Sequence, residues 1–296
     1  QSYETTAAAL RVSVLQVREL TGQRFSLRCA GEVTVREAPS PFELHGTLLG
    51  LNEFAGDLVS PSFRGFWPMG FRGSAAAETR DLRLDLRLLR RNDALECFAD
   101  ATASALALSM PQHSVAYQDE NLRASVRGTV KLTSASCEVD RLELQSPNVA
   151  LEASGSLTWA RQWCYAATVN ASHIGAPYIE LLNTPLPHGF QLTASEGAVA
   201  ANLHVAGGWQ KIDRLVGSLT FSTVTLQMPH FRRPLEELQG ELDFEPRRVV
   251  IHDLSGRLGA AWLKLDGALP VLHGRLGDAY AFLFPEIGRA SCRERV

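Results

Sequence analysis

From Leu122 to Leu132 the chain reads Leu-Arg-Ala-Ser-Val-Arg-Gly-Thr-Val-Lys-Leu, apolar or glycine at every second position and polar or charged between. A β-strand points successive side chains to opposite faces, so a period of two makes a ribbon with one apolar side and one wet side. The same pattern runs through Phe25, Leu27, Cys29, Gly31, Val33 and Val35, through Phe42, Leu44, Gly46 and Leu48, and through Leu82, Leu84, Leu86 and Leu88. It returns in Val199, Ala201, Leu203 and Val205 and in Leu215, Gly217, Leu219 and Phe221. Nothing at helical spacing competes with it. The pattern predicts an all-β fold: one elongated, twisted, mostly antiparallel sheet with at most one or two short helices.

Two segments match each other without a gap. Gly128–Gly155 laid over Gly240–Gly267 puts Val130 on Leu242, Leu132 on Phe244, Cys137 on Val249, Val139 on Ile251, Leu142 on Leu254 and Leu151 on Leu263. Both copies change phase at one place, between Val139 and Leu142 and between Ile251 and Leu254, which predicts a bulge built into the unit. Repetition on this scale points to a stacked, extended array rather than a closed globule.

Along the chain, residues 9–36 read as two or three strands with a turn at Thr21-Gly22-Gln23, Pro39-Ser40-Pro41 interrupts, and 42–60 resumes. Residues 62–73 (SFRGFWPMGFRG) do not alternate and are broken by Gly and Pro, which predicts an ordered loop or a flap over the sheet. Membrane contact by Phe63, Phe66, Trp67 and Phe71 is the sharper alternative for that stretch. Strands follow at 79–90 and 94–110, and 120–169 is nearly continuous strand. The one helix candidate is Ala176–Leu182, with Pro177 in its first turn and Pro185 and Pro187 beyond it. From Phe190 to Leu269 strands return, separated by turns at Gly207-Gly208, Pro229–Pro234 and Pro246-Arg247. This divides the chain into a β-rich segment over 1–119, a repeated segment over 120–286, and a tail.

That tail, Ile287–Val296, has no alternation and back-translates to a common short-read sequencing adapter, so it is set aside as foreign. The start at Gln1, without Met, is expected to be cut as well, making the chain an interior piece of something longer. Removing the tail's three Arg and one Glu moves the formal charge from -3 to -5. Mild acidity argues against a nucleic-acid surface, which needs a basic face. Outside the tail stand Cys29, Cys97, Cys137 and Cys164, without paired or zinc-like spacing. They are expected to be buried and unpaired, with a cross-strand disulfide as the alternative in an oxidising compartment. No run of 18 uncharged apolar residues occurs, so no membrane span or secretory signal is read in this stretch.

Candidate chemistry is sparse. The eight histidines at 45, 113, 173, 188, 204, 230, 252 and 273 form no metal-binding motif, and no nucleophile elbow, phosphate-cradling loop or calcium loop occurs. His252 and Asp253 are adjacent, but neighbours in a strand face opposite sides and would not share a site. Arg83, Asp85 and Arg87 read as a solvated row of cross-strand ion pairs. The expectation is a protein that is not an enzyme and has no catalytic residues, metal or cofactor.

An apolar face must be covered by a second sheet, by closure of a barrel, or by the curl of the sheet together with a hydrophobic ligand. A strand-lined trough would hold acyl chains at about 25 cal/mol per Å² removed from water, while its ladder of similar positions lets them slide. The residues expected on that face are Val130, Leu132, Val139, Leu142, Leu151, Leu203, Leu219, Phe221, Leu242, Phe244, Val249, Ile251, Leu254, Leu263 and Leu265, with Lys131, Asp243, Lys264 and Asp266 on the other side. A closed sandwich core is the alternative for the same residues.

The stretch Leu215–Leu269 carries L-x-x-L-Q-G-E-L-D-F-E and then V-V-I-H-D-L-S-G-R-L-G-A-A-W-L-K-L-D-G-A-L. It resembles the repeating units of the AsmA-like/TamB family of bridge-like lipid transfer proteins. The likeness rests on Gly240 opening a strand, the bend Leu254-Ser-Gly-Arg-Leu-Gly259, and the close on Gly267; Gly128–Trp159 resembles the same unit with Ser-Pro-Asn in place of the Gly259 turn. The resemblance covers about 120–270 and is only compatible with 1–119. It implies a periplasm-spanning protein of diderm bacteria, anchored in the inner membrane by a segment not in this sequence. Such a protein curls its sheet into a hydrophobic groove and moves phospholipid between inner and outer membranes. It also implies support of outer-membrane protein assembly with an Omp85-type partner, through regions absent here. A structural or adhesive extended β-protein without transport is the other reading.

Overall fold

A computed structural model describes residues 8–20, 22–35, 38–50, 52–69, 73–110, 115–159, 163–179, 191–193, 197–208, 211–227 and 233–270. The chain forms two compact units, 1–161 and 162–296. The tail at 287–296 lies outside the described residues, as do Pro185 and Pro187.

The first unit contains β1 (Ala8–Glu19), β2 (Arg24–Val35), β3 (Ala38–Leu49), β4 (Glu53–Met69), β5 (Gly73–Arg91), β6 (Ala94–Met110), β7 (Val115–Lys131), β8 (Ser136–Ser146) and β9 (Val149–Thr158). Each pairs antiparallel with the strand before it. Short hairpins make this local arrangement natural. In the β5–β6 turn, Asn92 has φ +56, the left-handed conformation that Asn tolerates and tight hairpins require. Among the described residues of this unit, the strands adjoin their neighbours in the order, and β2 also approaches β4 across β3. Its nine strands follow one another in one sheet in chain order.

The second unit contains β10 (Cys164–Gly175), α1 (Ala176–Ile179), β11 (Gln191–Thr193), β12 (Ala198–Gly208), β13 (Lys211–Gln227), β14 (Leu235–Glu245), β15 (Arg248–Leu258) and β16 (Ala261–Pro270). Its antiparallel order is β10-β12-β13-β14-β15-β16. The short β11 pairs with residues 225–227 of β13 and lies in line with β12, which pairs with 211–222. The helix α1 starts where the sequence placed it and adjoins β10, β11 and β12. Its Tyr178 and Ile179 are buried, together with Ile174, Val199, Val224, Leu235 and Leu238. The expected all-β, antiparallel fold is the fold found.

Two breaks read from the sequence are not breaks. Pro39 and Pro41 sit inside β3, opposite Thr34 and Glu32 of β2. The β3–β4 pairing runs from Glu43–Val59 to Leu49–Glu53 and stops short of these prolines, which bring no N–H to a ladder. Two serines, both fully buried, take over the contact. The Ser60 hydroxyl donates to the Pro41 carbonyl at 2.6 Å, and the Arg64 backbone N–H donates to the Ser40 hydroxyl at 2.7 Å. The stretch 62–73, expected as a loop or flap, is strand: β4 continues to Met69 and pairs through Gly65–Ala77, Phe66–Ala76 and Trp67–Ala75 to Met69–Gly73. Residues 70–72 lie outside the described residues.

The bulge predicted in the repeat is present in both copies. Pairing shifts register between Val139 and Leu142 against β9, and between Ile251 and Leu254 against β16. β8 and β9 become β15 and β16 on adding 112 to each residue number, end for end (136–146 to 248–258, 149–158 to 261–270). The first strand of each copy differs. Val130 pairs with Cys137, whereas Leu242 pairs with Ile251, two residues further along. The β7–β8 turn holds four residues (132–135) and the β14–β15 turn two (246–247), and that difference produces the slip.

Candidate functional site

Directly opposed residues of an antiparallel pair share a face, so the registers assign each side chain to one side. In the first unit Leu88, Cys97, Gly128, Val139 and Gly155 form one row across β5–β9. The next rows are Leu86, Ala99, Val126, Leu142 and Ala153, and then Leu84, Ala101, Ala124, Leu144 and Leu151. Val130 joins the same face beside Leu95 and Cys137. In the second unit Val169, Leu203, Gly217, Phe244 and Val249 form a row, followed by Ala171, Ala201, Leu219, Leu242, Ile251 and Gly267. Phe221 lies opposite Val199, Leu254 opposite Leu265, and Leu263 opposite Gly256.

Of the fifteen residues assigned from sequence, fourteen therefore occupy the apolar face of their own unit. Leu132 does not: it lies in the β7–β8 turn and is 74% exposed. The gapless alignment had placed it on Phe244, which is buried in β14 because its turn is two residues shorter. The charged residues fall on the opposite side as expected. Lys131 pairs with Ser136, Asp243 with Val250 and Lys264 with Ser255, while Asp266 adjoins Leu265 on β16.

The two faces differ in cover. In the first unit Leu84, Leu86, Leu88, Val126, Val130, Val139, Leu144 and Leu151 are only half-buried, and Leu142 is 37% exposed. In the second, Phe221, Phe244, Val249 and Ile251 are buried, whereas Leu203, Leu219, Leu242, Leu254, Leu263 and Leu265 are half-buried. Sequence reasoning left out Leu84, Leu86, Leu88, Val126 and Leu144, although the same alternation marks them. Cys97 and Cys137 share the face as half-buried free thiols, and burial pushes both above the usual thiol value. Cys29 is half-buried and Cys164 exposed, both unpaired.

The wet face is a lattice of charge. Asp57, Asp85, Asp100, Ser125, Glu143 and Glu152 stand opposite one another across β4–β9. Asp85 is therefore not matched by opposite charge as expected, although its neighbour Arg87 pairs with Glu53 at 3.0 Å. Arg141 pairs with Glu143 and, at 2.9 Å, with Glu152. His252 contacts Asp243 at 2.9 Å and Asp253 contacts Lys264 at 2.7 Å, so these neighbours, expected on opposite sides, both reach the wet face, because they form the bulge, and take different partners there. A cleft of about 760 Å³ lined by Arg11, Glu32, Glu43, His45 and Asp57 also lies on this face, over β1–β4. Its carboxylates offer nothing to an acyl chain. Among the described residues no group of three His, Cys, Asp or Glu is arranged to hold a metal ion, and no helix is long and apolar enough to cross a membrane.

No family model, curated protein or solved structure matches the chain.

Proposed function

We propose that this chain is part of a bridge-like lipid transfer protein of the diderm envelope, its apolar face carrying phospholipid acyl chains between inner and outer membranes. The observation that carries the reading is the apolar face of the first unit, where Leu84, Leu86, Leu88, Val126, Val130, Val139, Leu144 and Leu151 stay half-buried and Leu142 is exposed. Soluble domains do not leave so many Leu and Val positions uncovered without a use for them. Moving a lipid through water exposes its tails at about 0.8 kcal/mol per methylene, roughly 10 kcal/mol or more for a whole chain. A strip of Leu, Val and Ala removes most of that barrier and, being uniform, offers no deep minimum in which a tail would stop. The resemblance to the AsmA-like/TamB repeats supports the same reading, with a periplasmic location and an Omp85-type partner as its further implications.

The test is side-selective labelling. A photo-reactive residue at Val130 or Leu254 should cross-link to phospholipid in cells, and one at Lys131 or Lys264 should not. Equal labelling from both faces, or none from either, would sink the conduit and leave a structural β-protein. Leu142→Arg should block passage, because a guanidinium in the path of the tails costs several kcal/mol to desolvate.

A further inference from the structure

The two copies of the bulge carry ion pairs of opposite polarity at equivalent positions. In the first, Arg141 of β8 reaches across to Glu152 of β9 at 2.9 Å. Adding 112 to each number gives Asp253 of β15 and Lys264 of β16, which pair at 2.7 Å. The cation sits on the bulged strand in one copy and on its partner in the other. Both pairs bridge the same irregularity, where two residues of the bulged strand (140–141, 252–253) stand against one (154, 266). Two unrelated surface contacts would not be expected to coincide in position and geometry while exchanging charge.

The bulge decides which side chains face inward. With it, Leu144 stands opposite Leu151, and Leu142 and Leu144 stay on the face of Val139. Without it the ladder would continue from the Val139–Gly155 pair in step, putting Leu144 opposite Ala150 and turning Leu142 and Leu144 outward. We infer that Arg141–Glu152 and Asp253–Lys264 are positioning pairs, interchangeable in polarity, that hold this bulge and so keep the residues after it on the apolar face. The importance of that face rests on the function proposed above, but the register itself can be measured without lipid. Both pairs are solvent-exposed, so each works as a bias between two close registers rather than as a source of global stability.

The test transplants one copy's polarity into the other. In one set of chains Leu144→Cys is combined with Leu151→Cys, reporting the bulged register; in a second set it is combined with Ala150→Cys, reporting the unbulged one. Yields with a short thiol cross-linker are read by mass spectrometry. Arg141→Asp alone and Glu152→Lys alone should each move the ratio of the two products toward 144–150 by about threefold, the scale of an exposed pair. Arg141→Asp with Glu152→Lys should restore it. A ratio unmoved by the single changes, or not restored by the double one, overturns the inference. So does a joint fall of both products, which would mean a contribution to stability alone. Absence of lipid labelling in the earlier experiment would remove the proposed function and leave this result standing.

Discussion

Gly240 and Gly267 provide a direct measure of what the bulge demands of its neighbours. Both have positive φ, +131° and +141°, in a region that residues with a side chain rarely adopt. They differ in surroundings. A Cβ added at Gly240 would lie 2.5 Å from the Leu254 Cα and 2.8 Å from the Asp253 carbonyl oxygen, whereas one added at Gly267 meets nothing within 4 Å. Backbone atoms cannot rotate away as a side chain can. Gly267→Ala should therefore carry only the conformational cost, about 1–3 kcal/mol, reduced by about 0.4–1 kcal/mol through the lost freedom of glycine in the unfolded chain. Gly240→Ala carries the same costs plus overpacking, a further 1–3 kcal/mol or so. Urea denaturation followed by circular dichroism, with hydrogen exchange in β14 and β15, reads the difference. At about 2–4 °C per kcal/mol it should also lower the melting temperature of Gly240→Ala clearly below that of Gly267→Ala. Equal losses would refute the reasoning, because crowding by the bulge would then play no part in the choice of glycine at 240.

Ser60→Ala should destabilise the first unit by about 1 kcal/mol by removing the buried hydroxyl that donates to the Pro41 carbonyl, measured by urea denaturation. Asp85→Asn should stabilise it by a few tenths of a kcal/mol to about 1 kcal/mol, since Asp85 lies between Asp57 and Asp100, and the gain should shrink in high salt. The Thr133 hydroxyl, 2.7 Å away, holds Asp93 below its ordinary carboxylate value. A depressed folded value adds stability above the ordinary one that is lost as pH falls through the folded one. Amide exchange at the β5–β6 turn should accelerate on acidification through that range, and Thr133→Val should weaken this acid dependence, the backbone hydrogen bond and Lys131 keeping part of it; an unchanged pH profile in the variant would count against the contact.

Period two made the faces legible, because it depends on nothing beyond the strand itself. Fourteen of the fifteen assigned residues followed from it. The bulge was legible because it displaces the phase of the pattern, and it does so in both copies. What the chain did not disclose locally depends on partners remote in sequence. The prolines of β3 stay in register with β2, and Ser60, 19 residues from Pro41, donates to the Pro41 carbonyl where the β3–β4 ladder has stopped. Residues 66 and 67 continue β4 because they pair with 76 and 75 of β5, a partner that their own sequence does not announce. Asp85, between two arginines in sequence, faces two aspartates in space because register, not sequence, chooses cross-strand neighbours.

Leu132 shows why a repeat can keep its face while losing its register. Relative to the first copy, β14 pairs with β15 two residues out of step, after a turn shortened from four residues to two. A slip of one residue would have turned every apolar side chain of β14 into water; a slip of two returns each to the same side. The slip is therefore neutral for every residue within the strand and matters only at its end, where Phe244 stays in the ladder and its counterpart Leu132 is left in the turn. The bulge has no such freedom, since one residue gained or lost there reverses the face of all that follow. Turn lengths can drift between copies of this unit while the bulge, the glycines opposite it and its ion pair are kept. A departure from the repeat is thus best tolerated at hairpin ends and least tolerated at residues 139–142 and 251–254.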